Sequence, residues 1–309
     1  MSSLLTNSSA MVALSTLRNI NDDLATTQSR ISTGMRVADA SDNAAYWSIA
    51  TTMKSDNDAL SAVQDSLGLG AATVDVAFTA MDQAVDVVSE IKAKLVAATA
   101  PGVDRAKIQS DITELQSQLT TIAESATFNG ENWLAEDSTA AGFNTDKTVV
   151  GGFTRDALGN AAIQNITIDT SGVFLVDGGA DTGLLDKALA GVGGVIGGAN
   201  MLDFTITAVT DSAADLALLS GLITGVDGVL TEMTDAATDL GSAKSRIDMQ
   251  TEFVKNLSDA VTRGVGQLVD ADMNAESTRL QALQTQQQLG IQALSIANSG
   301  SQSILSLFR

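Results

Sequence analysis

Apolar residues recur every seven positions at both ends of the chain, and this constrains the fold more than any other feature. Near the amino terminus Leu17, Leu24 and Ile31 stand seven apart, with Ala10 one step earlier and Ile20 between them. Near the carboxyl terminus the steps run Val254, Val261, Leu268, Ala275, Ala282, Leu289 and Ile296. A sustained seven-residue repeat marks a helix that packs along a narrow seam. A helix of that kind is marginal alone in water, so each end requires a partner. The simplest arrangement pairs the two terminal helices with each other.

The chain between them reads as further helices and one interruption. Residues 4 to 33 form the first helix, with Gly34 as its carboxyl cap. Asp39, Ser41 or Asp42 is placed to cap a second helix that enters at Asn43 or Ala44. From there to Ala98 apolar residues keep three- and four-residue spacing, weakened locally at Gly68 and Gly70. A helix of about 55 residues would reach about 80 Å, which predicts a rod. Pro101-Gly102 turns the chain, and residues 104 to 127 make a helix that folds back on its predecessor. Phe128 to Leu134, FNGENWL, carries an Asn-Gly turn with two aromatic anchors. Residues 135 to about 228 differ. The runs KTVVGGF, NITIDTSGVFLV and MLDFTITAV are β-rich, turn residues separate them, and glycine concentrates here. The helical pattern returns near Val229.

The fold class expected is therefore mainly α. An elongated antiparallel helical bundle and coiled-coil rod is built from both chain ends, with a small mixed α+β surface insert. Residues 1–43 with 267–309 would form a terminal coiled-coil domain. Residues 44–134 with 229–266 would form a helical rod domain, and 135–228 the exposed insert.

Composition narrows the function. The chain carries 17 basic and 37 acidic residues, a net charge of -20. A phosphate backbone needs a basic surface, which excludes nucleic acid as a partner and disfavours anionic membranes. Cysteine and histidine are both absent. That removes disulfides, thiolate chemistry, the commonest general base and the commonest zinc ligand. No catalytic, cofactor-binding or metal site is expected, and the chain does not read as an enzyme. GVGGVIGG lacks the Gly-Lys-Ser/Thr ending of a phosphate loop. Asp270 to Glu276 places oxygens as a calcium loop does. That loop requires glycine where Ala275 stands and glutamate where Gln281 stands, so the segment reads as a helix start. No stretch reads as long and apolar enough to insert in a membrane, and the amino terminus lacks the basic region of a secretory signal.

Two alanine-rich helices make a narrow contact. It leaves Leu4, Leu5, Val12, Ile304, Leu305, Leu307 and Phe308 uncovered. Full cover then needs further copies of the chain. A patch that meets a different patch on the next copy does not close, and a helical filament results. Candidate polymer contacts are Leu17, Leu24, Ile31, Leu268, Leu289, Ile296 and Leu305. Arg30 and Arg36 bracket the Gly34 break and are candidates for inter-subunit salt bridges with Asp39, Asp42, Asp270 or Asp272. Glu90 and Lys94, four apart on a helix, suggest a surface ion pair.

These residues carry a resemblance. The stretch TNSSAMVALSTLRNINDDLATTQSRISTGMRVADASDNAAYWSIA resembles the start of bacterial flagellins. LGSAKSRIDMQTEFVKNLSDAV and DADMNAESTRLQALQTQQQLGIQALSIANSGSQSILSLF resemble their end, and TFNGENWL a turn in their rod domain. The Ala-Tyr-Trp at 45–47 and the length are most similar to flagellins of alphaproteobacteria, the rhizobial group. The resemblance covers roughly residues 1 to 140 and 235 to 309, and the insert carries no such signature. It implies a structural subunit that polymerises with itself into the extracellular flagellar filament for swimming. A hook-filament junction protein, with similar ends, is the alternative, and a non-flagellar coiled-coil adhesin a more distant one. It implies export without a cleaved signal through the flagellar type III apparatus. The partners it implies are a cap, hook-associated junction proteins and a secretion chaperone. The Arg-Glu-Leu motif that innate receptors recognise in many flagellins is altered here, with Ala93 and Lys94 before Leu95.

Overall fold

A computed structural model describes residues 7–156, 159–189, 195–198 and 200–306, with side chains to residue 300. The helices are α1 (Ser8–Thr33), α2 (Ala44–Ala98), α3 (Arg105–Ser125), α4 (Ala213–Val269) and α5 (Met273–Ser306). The strands are β1 (Thr127–Phe128), β2 (Glu131–Asn132), β3 (Ala135–Glu136), β4 (Asp146–Arg155), β5 (Ala161–Asp169) and β6 (Val176–Asp177). The contacts divide the chain into two compact units. One collects residues 1–58 and 258–309, the other 59–257.

In the first unit, Asn7 caps α1 by accepting from the Ala10 N–H at 3.0 Å. Gly34 ends the helix at φ 72° and donates to the Arg30 carbonyl, as its place after the repeat predicts. The α2 cap is Asn43, whose Oδ1 accepts from the Ala45 and Tyr46 N–H groups at 3.1 Å. Asp42, an expected cap, turns back instead and accepts from Ala38 at 2.9 Å and Asp39 at 3.3 Å. Those backbone donors hold its carboxyl below the usual range. The connectors on either side of the unit are tied by backbone bonds. Arg36 and Val37 both donate to the Val269 carbonyl, at 2.6 and 3.2 Å, and Ala271 donates to Gly34 at 2.9 Å. Ala50, Val265 and Val269 form a small core with Met35, Met53, Val261 and Leu268 against it. α4 runs unbroken through Gly264. A Cβ there would lie 3.3 Å from Met53 Cε, so the glycine admits a close neighbour.

In the second unit α2 and α4 run antiparallel. Lys92 pairs with Asp227, Phe78 lies against Gly241, and Lys244 pairs with Asp75. The turn at Pro101-Gly102 reverses the chain into α3, with Gly102 at φ 76°. Arg105, only 8% exposed, fastens that reversal. Its Nε donates to the Ala98 carbonyl at 3.1 Å and its Nη2 to Asp211 at 2.6 Å. The core holds Leu67, Val74, Met81, Ile91 and Leu95 of α2, Ile112 and Leu119 of α3, and Leu219, Leu222, Val226, Met233 and Ile247 of α4. Lys94 pairs with Asp111 of α3 at 2.6 Å rather than with Glu90 one turn away.

The insert is irregular and short-stranded. β1 and β2 form a hairpin through Asn129 (φ 52°) and Gly130 (φ 86°), the turn expected there, and Trp133 beside it is buried. β3 pairs with β6 in parallel, and β4 with β5 antiparallel with a bulge between Val150 and Gly152. β4 lies on α2 at Gly70, where any Cβ would overlap the Val149 side chain. From 170 to 212 the chain is mostly loop among the described residues, and its carbonyls and amides need partners. Two buried glutamines of α3 supply them. Gln109 accepts from Ile206 N–H at 2.9 Å and donates to Phe204 at 3.3 Å, while Gln116 donates to Met201 at 3.1 Å and Phe204 at 3.2 Å. Asp177 and Asp186 are both buried here. Burial would raise Asp177, but donors from Ser138, Thr182 and Gly179 outweigh it and hold its carboxyl well below the usual range. Burial, reinforced by repulsion from Asp177 and Asp181, raises Asp186.

Two further expectations need correction. α4 begins at Ala213, not near Val229. Ser212 Oγ accepts from Asp215 N–H at 3.1 Å while Asp215 accepts from Thr210 N–H at 2.8 Å, a cap that starts the helix ahead of Gly221, Gly225 and Gly228. The second correction concerns apolar length. An 18-residue window in α4 reaches a mean hydropathy of 1.5, so one helix is long and apolar enough by that measure. Leu219, Leu222, Val226 and Val229 of α4 are buried in the second unit's own core.

Candidate assembly surface

The paired chain ends, α1 and α5, are built from small and medium apolar residues on one stripe each. On α1 the covered positions are Ala10, Ala13, Leu17, Ile20, Leu24, Thr27 and Ile31. Their alternating three- and four-residue steps are those of a two-helix seam. On α5 they are Glu276, Leu280, Leu283, Gln287, Gly290, Leu294 and Ala297. The helices run antiparallel. Asn7 donates to the Ala297 carbonyl at 3.0 Å, Gln287 to Asn21 at 2.7 Å, and Arg30 meets Glu276 at 3.4 Å. A Cβ on Gly290 would stand 3.5 Å from Leu17 Cδ1, so this position brings the backbones close.

Leu17, Leu24 and Ile31 thus lie on the seam read from the sequence. The carboxyl-terminal seam is displaced by one residue. Val254 is buried and Val261 and Leu268 half-buried, but Ala275 and Ala282 are exposed, as are Leu289 (58%) and Ile296 (71%). The reason is the break at Asp270 to Asp272. Residues outside a helix do not advance by a helical step, so the repeat in α4 does not carry its phase into α5. Met11, Val12, Leu14 and Ile291 are also exposed. Leu305 lies in α5 with its side chain outside the described residues, as do those of Ile304, Leu4, Leu5, Leu307 and Phe308.

The charged candidates divide. Arg30 is engaged within the chain, with Glu276 rather than Asp270 or Asp272. Asp272 caps α5, accepting from Asn274 at 2.9 Å and Ala275 at 3.2 Å, so the acidic segment is a helix start. Arg36 donates to the Leu268 carbonyl at 3.0 Å and stays exposed, as do Asp39 and Asp270. Glu276 was not singled out by the sequence reading. It is 8% exposed, with Arg279 Nη1 3.9 Å from the same Oε1 that meets Arg30. Arg30 Nε and Glu276 Oε2 are buried without a hydrogen-bond partner. Beside them lies a cleft of about 230 Å³ lined by Asp23, Thr26, Thr27, Arg30, Arg279 and Leu283.

The surface is therefore a thin two-helix pair with apolar residues on its outer faces and polar groups at its base. Comparison with known proteins identifies the family. Residues 4–139 match the bacterial flagellin N-terminal helical region, and 223–308 the bacterial flagellin C-terminal helical region. The chain is 50% identical to flagellin C of Rhizobium meliloti strain 1021 over 328 aligned positions, covering all of both chains. It is 46% identical to flagellin A of Rhizobium meliloti over 397 positions and to a flagellin of Brucella melitensis over 311, again covering all of both chains. A crystal structure of Bacillus cereus flagellin is similar over 65% of this chain and 94% of its own, at 18% identity and a TM-score of 0.41. The chain belongs to the bacterial flagellin family and is a structural subunit of the flagellar filament.

Proposed function

We propose that this chain polymerises through the outer faces of α1 and α5, each copy covering the apolar residues the previous one leaves exposed. One observation carries the reading. Each helix buries a single stripe and leaves Met11, Val12, Leu289, Ile291 and Ile296 open to solvent. Exposed apolar residues concentrated on one element mark an interaction surface. Residues 1–43 with 267–309 line the inside of the filament, 44–134 with 229–266 form the next shell, and 135–228 face the medium. Arg36 and Asp270, both exposed, pair across the joint between copies, while Arg30 and Asp272 serve within the chain. The filament lies outside the cell. The chain reaches it through the flagellar export apparatus with a secretion chaperone, and it adds under a cap beyond the hook-associated junction proteins.

Seeded growth tests the reading. Full-length protein should elongate from filament fragments, and a chain lacking residues 1 to 40 should not. Equal growth of the two would refute it. A junction protein would occur in few copies per flagellum, so copy number separates that role.

A further inference from the structure

We propose that Arg30 and Glu276 set the rotational register of α5 on α1, and so decide which of two adjacent stripes on α5 faces inward. One stripe runs from Glu276 through Leu283 and Gly290 to Ala297 and is covered. The other runs one residue earlier, from Ala275 through Ala282 and Leu289 to Ile296, and is exposed. Successive residues on a helix stand about 100° apart, so a turn of α5 by that angle exchanges the stripes.

Hydrophobicity discriminates between the two settings only in part. The turn would bring Leu289 and Ile296 onto the seam where Gly290 and Ala297 now lie, while withdrawing Leu280, Leu283 and Leu294. Charge discriminates more sharply. Glu276 stands at the end of the seam with Oε1 3.4 Å from Arg30 Nη1. Its Oε2 and Arg30 Nε are buried and make no other hydrogen bond, so each group has the other as its partner across the seam. A buried ion pair gives less stability than apolar side chains of the same volume, but a polar group on an apolar seam fixes register. Turning α5 would carry Glu276 off the seam and leave Arg30 opposite an alanine. The consequence for assembly rests on the filament reading above: the pair keeps Leu289 and Ile296 outward for the next copy.

The chain has no cysteine, so introduced pairs report contacts on a clean background. Leu17→Cys with Gly290→Cys reports the observed register, and Leu17→Cys with Leu289→Cys the turned one. Both are made in full-length protein, oxidised before and after seeded growth, and read as intrachain crosslinks on denaturing gels. With Arg30 and Glu276 intact, the 17–290 crosslink should exceed the 17–289 crosslink by at least about tenfold. Glu276→Ala should bring the two within about threefold of each other. If Glu276→Ala keeps the original ratio, the proposal is overturned. If that variant does not assemble, exchanging the charges decides. Arg30→Glu with Glu276→Arg, carrying Arg279→Gln to remove the adjacent like charge, should recover both assembly and the 17–290 crosslink, and failure to recover them overturns the proposal. A chain with the pair intact that gives the 17–290 crosslink but never elongates refutes the filament reading and leaves the register assignment standing.

Discussion

Truncating Leu289 and Ile296 to alanine should weaken the polymer without weakening the subunit. In the single chain these side chains are 58% and 71% exposed. Fully burying a leucine or isoleucine contributes about 1.5–3 kcal/mol, so covering the exposed parts contributes about 1–2 kcal/mol each. Alanine retains Cβ, and the double variant therefore loses about 2–3 kcal/mol per added subunit. That raises the critical concentration for growth roughly 30- to 150-fold. Alanine is the best helix former, so α5 itself is not penalised. The assay is sedimentation of seeded filaments across a dilution series, with thermal unfolding of the unassembled protein alongside. Leu283→Ala serves as the contrast, because Leu283 lies on the covered stripe and its loss should lower the stability of the α1–α5 pair as well. A double variant whose critical concentration stays within about threefold of the parent would refute the argument, since surface changes away from contacts are nearly neutral.

Gly70→Ala should destabilise the second unit by about 1–3 kcal/mol despite the helix-propensity gain, because the new methyl overlaps Val149, and Val149→Ala should recover most of the loss in thermal unfolding. Gln116→Leu should cost about 1–3 kcal/mol in denaturant unfolding by stripping donors from the Met201 and Phe204 carbonyls. Asp177→Asn should cost about 2–3 kcal/mol at neutral pH, since the carboxylate accepts from Ser138, Gly179 and Thr182. Because Asp177 titrates lower folded than unfolded, that gap should close as acid protonates the parent carboxylate. Asp186 is raised instead, so Asp186→Asn should gain about 1 kcal/mol above the carboxyl range and nothing in acid, as melts across pH will read.

The sequence made the regular elements legible and left out the places where two elements meet. α1, its Gly34 cap and its seam follow from spacing alone, because a helix of one phase carries its own period. Across Asp270 to Asp272 that logic fails, and Leu289 and Ile296 fall outside the seam their seven-residue steps suggested. Gly70 read as a weak point in α2, yet it is where β4 crosses, a fact that depends on a residue far along the chain. The polarity of Gln109 and Gln116 gives no sign of burial. They are buried because an irregular segment 85 to 97 residues later lacks hydrogen-bond partners of its own. The start of α4 was hidden by its glycines, although Ser212 and Asp215 stood in the text as a cap.

The hydrogen bond from Asn7 to Ala297 spans 290 positions in the chain. A ribosome adding about 5–20 residues per second needs roughly 15 to 60 s to traverse that span. Throughout that interval the first helix has nothing to zip against, while residues 59–257 can collapse on themselves as soon as they emerge. Pairing of α1 with α5 therefore waits until α5 has been made, and α1 stays unpaired within its own chain until then.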